Sequence, residues 1–128
     1  MAEVSFSKIL VGTDGSATAG KAVDRAVEVA ARAGASLTVF TAGPTERAQE
    51  VASREAERHQ GAGIAVETKV VDADPVSGLI DEATAGGYDL LVMGNKGMTG
   101  LTRFFRLGSV PNKVTHHLPC SLLIVKTT

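Results

Sequence analysis

Tyr88-Asp89-Leu90-Leu91-Val92-Met93-Gly94-Asn95-Lys96-Gly97-Met98-Thr99-Gly100, with its continuation to Gly108-Ser109-Val110, is the stretch on which the fold turns. Leu90 to Met93 is an apolar run of the length of a buried strand, and it breaks abruptly into glycines at Gly94, Gly97 and Gly100. Beyond Gly108 and Ser109, the apolar residues Val110, Val114 and Leu118 recur at every fourth position, the spacing of a helix's buried stripe. Strand, glycine loop and helix N-terminus in that order are a recipe for holding an anion. Glycine lets backbone N–H groups approach phosphate oxygens without a Cβ in the way, and the first helical turn offers unpaired donors and the positive end of its dipole. The same loop could serve as a plain turn, with Arg103 and Arg106 only solvating Phe104, Phe105 and Leu107. Charge makes the loop locally electropositive, with five basic residues and no acidic one from Leu90 onward against eight basic and fourteen acidic before it, and both readings hold in part.

Working outward, the remaining chain alternates strand and helix. Lys8 to Thr13 reads as a buried strand, and Asp14-Gly15-Ser16 as a turn that can cap a helix whose inner face is Ala22, Ala26, Val29, Ala30 and Ala33, ended by Gly34. Leu37 to Thr41 is a second strand. Gly43-Pro44-Thr45 then leads into a charged helix with Ala48, Val51, Ala52 and Ala56 inward and Glu50 placed to pair with Arg54. Ile64, Val66, Thr68 and Val70 alternate with Glu67 and Lys69, the pattern of an edge strand with one wet face. Asp74 as N-cap and Pro75 at the first helical position open a third helix, with Val76, Leu79, Ile80 and Ala83 inward and Gly86-Gly87 at its end. The opening stretch supplies the fourth strand and a fourth helix, Pro119 breaks that helix, and Leu122 to Val125 forms the fifth strand. Short loops between alternating elements imply right-handed crossovers, hence a doubly wound α/β domain with a parallel sheet covered by helices on both faces. In such sheets ligands sit beyond the carboxyl ends of the strands, so Asp14 and the glycine loop face one cleft if the first and fourth strands are neighbours.

Composition bounds what else the chain can be. With 128 residues it reads as one domain, 1–128, and its 44% hydrophobic and 21% charged content is ordinary for a soluble protein. A net charge of -1 gives no argument for nucleic acid or an anionic membrane as partner. No basic-then-apolar leader and no apolar run near the ~20 residues of a membrane span are visible, so a cytoplasmic location is expected. The single cysteine, Cys120, permits no internal disulfide and fits a reducing compartment. There is no G-x-x-x-x-G-K-[ST] loop and no G-x-G-x-x-G fingerprint. His116 and His117, being adjacent, fall on different faces of a helix, and no metal site is expected. Ser16 has no evident histidine partner for nucleophilic work, and no catalytic residue is assigned. A phosphate-receiver reading, with Asp14 or Asp72 as acceptor and Lys126 as cation, lacks the clustered acidic pair it needs after the first strand.

Five segments are familiar together: K-I-L-V-G-T-D-G-S, G-A-S-L-T-V-F, Y-D-L-L-V-M-G-N-K-G-M-T-G, L-G-S-V-P-N-K-V and P-C-S-L-L-I-V-K. Through them the chain resembles the single-domain universal stress proteins over essentially its whole length. The resemblance implies a five-stranded parallel sheet in the order 3-2-1-4-5 and a cytoplasmic homodimer with an unidentified regulatory partner. In the nucleotide-binding branch it implies ATP, with Mg2+, on a G-x2-G-x9-G-[ST] loop. Carried over, the nucleotide-binding residues are Thr13, Asp14, Ala42, Met93, Gly94, Gly97, Gly108, Ser109 and Val110. Between Gly97 and Gly108 this chain has ten residues, one more than that pattern, and Thr41 to Gly63 is short for the family. The alternatives are cyclic AMP or AMP as ligand, or a dimeric interaction module of the same fold with no nucleotide. No ATP hydrolysis beyond a very slow rate is expected, since no carboxylate follows Asp89 to orient water and there is no Walker lysine. The uninterrupted apolar edge Leu122 to Val125 needs covering, which predicts antiparallel pairing of Ser121 to Lys126 across a two-fold axis.

Overall fold

The structure, a computed structural model, describes residues 6–96 and 120–127. Five parallel strands form one sheet in the order β3-β2-β1-β4-β5: β1 (Lys8–Gly12), β2 (Ser36–Ala42), β3 (Val66–Val71), β4 (Leu90–Gly94) and β5 (Ser121–Val125). Three helices follow the first three strands: α1 (Ala17–Ala33), α2 (Thr45–Arg58) and α3 (Pro75–Ala85). The expected fourth helix lies outside the described residues. Among those that are described, no helix is long and apolar enough to cross a membrane.

Strand alternation divides the core into two layers. Ile9 and Val11 of β1, Leu37 and Val39 of β2, and Leu90 and Val92 of β4 face α1, where Ala22, Val23, Ala26 and Ala30 pack against them. Leu10, Phe40, Leu91 and Met93 face the other way, onto Leu79, Ile80 and Ala83 of α3. Central strands that bury both faces must be apolar throughout, which is why β1 and β4 read as unbroken hydrophobic runs. β3 is an edge strand, and Glu67, Thr68 and Lys69 are all exposed, so the expected inward position of Thr68 is not realised.

The helix ends follow their local chemistry. Ser16 caps α1 by accepting a hydrogen bond from the Ala19 amide, and Gly34 ends it in the left-handed region at φ 68°, where a Cβ would be strained. Asp74 caps α3 through the amide and hydroxyl of Ser77, at 3.0 and 2.9 Å. α2 departs from expectation on its inner face, where Glu55 is buried and Ala56 only half-buried. The reason is Arg58, whose guanidinium bonds Glu55 at 2.7 Å and Asp24 of α1 at 2.8 Å, so the carboxylate is paired rather than solvated. Arg54 reaches the Gly15 carbonyl at 3.4 Å instead of forming the expected pair with Glu50.

The amino-terminal edge of the sheet is laced shut. Asp89 accepts hydrogen bonds from the Ser7 amide (2.8 Å), the Ser7 hydroxyl (2.9 Å) and the Lys8 amide (3.1 Å), while its own amide bonds the Lys8 carbonyl (2.9 Å). The Ser7 carbonyl in turn accepts from the Ser36 amide at 3.0 Å, so the starts of β1, β2 and β4 are tied together. From the residue before Asp89, the Tyr88 hydroxyl donates to Glu82 of α3 at 2.8 Å, and Glu82 pairs with Lys69 of β3, level with Phe40 of β2, at 3.2 Å. Burial, with the Glu82 carboxylate beside it, pushes the Tyr88 hydroxyl up to about 12, so it remains a donor at any physiological pH.

Candidate binding cleft

β1 and β4 lie side by side, and the strand order reverses there: β2 and β3 follow on one side of β1, while β4 and β5 lie on the other. A crevice must open between their carboxyl ends, and a cavity of about 270 Å³ occupies it. Its apolar wall is Phe40, Val76, Leu79 and Met93, and its polar rim comes from Thr13, Asp14, Ser16, Lys96 and Thr127.

The turn after β1 is built by its own side chains. The Thr13 amide continues the ladder to the Phe40 carbonyl at 3.0 Å, and its hydroxyl accepts from the Gly15 amide at 3.1 Å. Asp14 accepts from the Ser16 amide at 2.9 Å, closing an Asx turn that aims the chain into α1. Burial alone would push the Asp14 carboxyl up, but the hydrogen bonds from Ser16, aided by the charge of Arg47, hold it below the usual aspartate range. Asp14 is therefore an ionised acceptor at the mouth of the cleft. Gly15, at φ 84°, has no room for a side chain, since a Cβ would stand 2.7 Å from a Val51 methyl and 2.9 Å from the Arg54 guanidinium.

At the end of β2 the main chain itself is available. In a parallel strand successive residues direct their N–H and C=O groups to alternate sides. The Phe40 carbonyl takes the Thr13 amide on the β1 side, and the Gly43 amide donates to the Val71 carbonyl on the β3 side, at 3.0 Å each. Ala42 therefore directs its amide and carbonyl toward β1, where the chain has already turned away at Asp14. These groups look into the cleft.

On the opposite flank, Gly94 ends β4 against the segment that follows β5. Thr127 is 3% exposed, and its amide and hydroxyl both donate to the Asn95 side-chain oxygen, at 3.0 and 2.8 Å. Lys21 of α1 donates to the Thr127 carbonyl at 3.2 Å. A Cβ on Gly94 would come within 3.2 Å of the Thr127 methyl, so glycine is what lets the two segments meet. Lys96 follows, exposed at the rim of the cavity.

Of the residues singled out in the sequence, Thr13, Asp14, Ala42, Met93 and Gly94 come together in this one cleft. Gly97, Gly108, Ser109 and Val110 lie outside the described residues. Asp72, the alternative acceptor of the phosphate-receiver reading, is exposed just past β3 and does not line the cleft. Sequence reasoning missed the wall formed by Phe40, Val76 and Leu79, which looked like core, and it missed Thr127 altogether. No group of three or more His, Cys, Asp or Glu residues suited to a metal ion exists among the described residues.

Residues 5–126 match the family described as the universal stress protein family. A crystal structure of a universal stress protein in complex with cAMP is 35% identical, covers 98% of this chain and 100% of that one, and superposes with a TM-score of 0.77. Protein Rv1636 from Mycobacterium tuberculosis H37Rv is also 35% identical, covers 99% of this chain and 100% of that one, and has a TM-score of 0.66. Among curated relatives, universal stress protein YxiE of Bacillus subtilis is 28% identical over 148 residues, spanning 94% of this chain and 99% of its own.

Proposed function

The chain belongs to the universal stress protein family, and from that premise we propose that it is a regulatory protein that binds an adenine nucleotide in the cleft between β1 and β4. The observation that carries this reading is the Ala42 main chain, a donor and an acceptor side by side above the apolar wall of Phe40, Val76, Leu79 and Met93. A flat heterocycle with adjacent donor and acceptor atoms suits that edge, as adenine has. Asp14 accepts from ribose hydroxyls, and Gly94 with the loop that follows holds phosphate, Lys96 adding positive charge at the rim. Cyclic AMP and AMP are the first nucleotides to test, because a relative of 35% identity was crystallised with cAMP. ATP with Mg2+ remains in the series because of the glycine pattern of Gly94, Gly97 and Gly108.

Thermal unfolding in the presence of cAMP, AMP, ATP with Mg2+, or buffer tests the reading. A ligand at a hundred times its dissociation constant stabilises by about 2.7 kcal/mol, enough for a clear shift in Tm. No shift with any of them would leave a nucleotide-free interaction module of the same fold.

Binding rather than turnover is the proposed role. Asp14 is the only carboxylate lining the cleft among the described residues, and it is already engaged with the Ser16 amide. A hydrolysis rate near 1 per second, typical of working phosphoryl-transfer enzymes, would overturn this. A cytoplasmic homodimer completes the proposal. Among the described residues β5 pairs with β4 alone, and Ile124 is 36% exposed. Antiparallel pairing of Ser121 to Lys126 with a second copy would cover that edge. Proline at Leu123 or Ile124 should then yield folded monomers in sedimentation, and dimers in both variants would exclude this strand as the interface.

A further inference from the structure

The carboxyl end of the sheet contains one contact that the ligand contacts proposed above do not use. Thr127 lies two residues past β5, yet both its donors converge on the Asn95 side-chain oxygen, at 3.0 and 2.8 Å, in the first turn after β4. Its carbonyl is tied to Lys21 of α1 at 3.2 Å, so one buried residue pins three separate segments together. Its methyl stands 3.2 Å from the position that a Cβ on Gly94 would take. Thr127 and Gly94 line the cleft together with Lys96, the residue immediately after Asn95.

Two donors on a single oxygen fix the position of the amide group more tightly than either would alone, because the oxygen has two lone-pair directions and both are used. Fixing the Asn95 side chain fixes the backbone from Gly94 to Lys96, the part of the cleft where a phosphate would be met. The contacts proposed for base and ribose stand mostly elsewhere, Phe40 and Ala42 on β2, Val76 and Leu79 on α3 and Asp14 in the turn after β1, and none of these is part of the clamp.

We propose that Thr127 is a positioning residue for the phosphate side of the cleft: by clamping Asn95 it holds the Gly94–Lys96 turn in its binding geometry, and so couples ligand affinity to the segment that follows β5. The inference rests on the nucleotide reading above. It is specific about which part of the ligand should feel Thr127: the phosphate, not the base or ribose.

Calorimetry with AMP and with adenosine on the parent, Thr127→Val and Thr127→Ser provides the test. Valine keeps the shape and the backbone amide but removes the hydroxyl donor, and serine keeps the hydroxyl. Losing one well-placed hydrogen bond should lower AMP affinity about five-fold in Thr127→Val. Adenosine affinity should be the same in all three proteins, and Thr127→Ser should bind AMP as the parent does. The ratio of AMP to adenosine affinity is the decisive quantity, since a general loosening of the fold would reduce both. Equal AMP affinity in parent and Thr127→Val, or an equal loss for AMP and adenosine, overturns the positioning role while leaving nucleotide binding intact. Failure of the parent to bind either ligand overturns the nucleotide reading itself, and this inference with it.

Discussion

The two ends of the sheet are built on opposite plans. At the amino end, Asp89 collects the amides of Ser7 and Lys8 and the Ser7 hydroxyl, and Ser36 joins from β2. At the carboxyl end the ladder between β1 and β2 stops at Thr13, and the Ala42 main chain faces a cavity of about 270 Å³. Unpaired backbone is tolerated only where water or a ligand can satisfy it. The difference teaches where each kind of residue belongs: closure of one end supplies stability that lets the other stay open.

If that division holds, damage at the amino end should cost stability and leave affinity alone. Asp89→Ala removes an ionised acceptor of three hydrogen bonds, and bonds to charged groups are the stronger kind, so the loss of unfolding free energy should be about 2–3 kcal/mol. Urea unfolding measures it. Calorimetry on the folded variant should return the parent's AMP affinity, and a matching fall in affinity would show that the two ends are not independent.

That division is visible in the sequence only in part, and the reason lies in the range of the interactions. The runs Ile9 to Val11 and Leu90 to Met93, the caps at Gly34 and Asp74, and the wet edge at Glu67 and Lys69 are legible because each signal is local or periodic. Strand order came from family resemblance, since neither apolar run names its neighbour. Asp14, Ala42 and Gly94 are identifiable as strand-end residues, and the sheet then brings them together. Thr127 gives no such signal, because its partners Asn95 and Lys21 are 32 and 106 residues away and only the finished sheet makes them adjacent. Glu55 fails for a related reason: a charged residue reads as solvent-facing, and it is its ion pair with Arg58 that makes the burial tolerable.

Damage at the open end should show the converse pattern, with a smaller total effect. Asp14→Ala removes the proposed acceptor for ribose hydroxyls and one turn hydrogen bond, from the Ser16 amide. Adenosine is the ligand to use, because removing a carboxylate also relieves repulsion of phosphate and would mask the loss with AMP. A tenfold fall in adenosine affinity, about 1.4 kcal/mol, is expected, with unfolding free energy changed by less than about 1 kcal/mol. A larger effect on stability than on affinity would make Asp14 a turn residue rather than a ligand contact.

The smallest expected effect is one of pH, and it tests whether the ionised form of Asp89 is what closes the amino end. Burial alone would push its carboxyl up, but the hydrogen bonds from the Ser7 and Lys8 amides and the Ser7 hydroxyl outweigh burial and hold it below the ordinary aspartate value of 3.8. A group depressed in the folded state contributes stability that is complete above the unfolded-state value and is lost as pH falls through the folded one. The stability gap between the parent and Asp89→Ala should therefore be constant from neutral pH down to about pH 5 and narrow below pH 4. It need not vanish, because the protonated carboxyl still offers an oxygen to one of its donors. Asp14→Ala should show a weaker narrowing, since Asp14 is also depressed but stands exposed at the cleft mouth, where solvent screens its charge. Unfolding curves for the three proteins at pH 7, 5, 4 and 3 decide the point. A gap between parent and Asp89→Ala that stays the same down to pH 3 would mean that hydrogen-bond geometry, not the charge of Asp89, holds the closed end together.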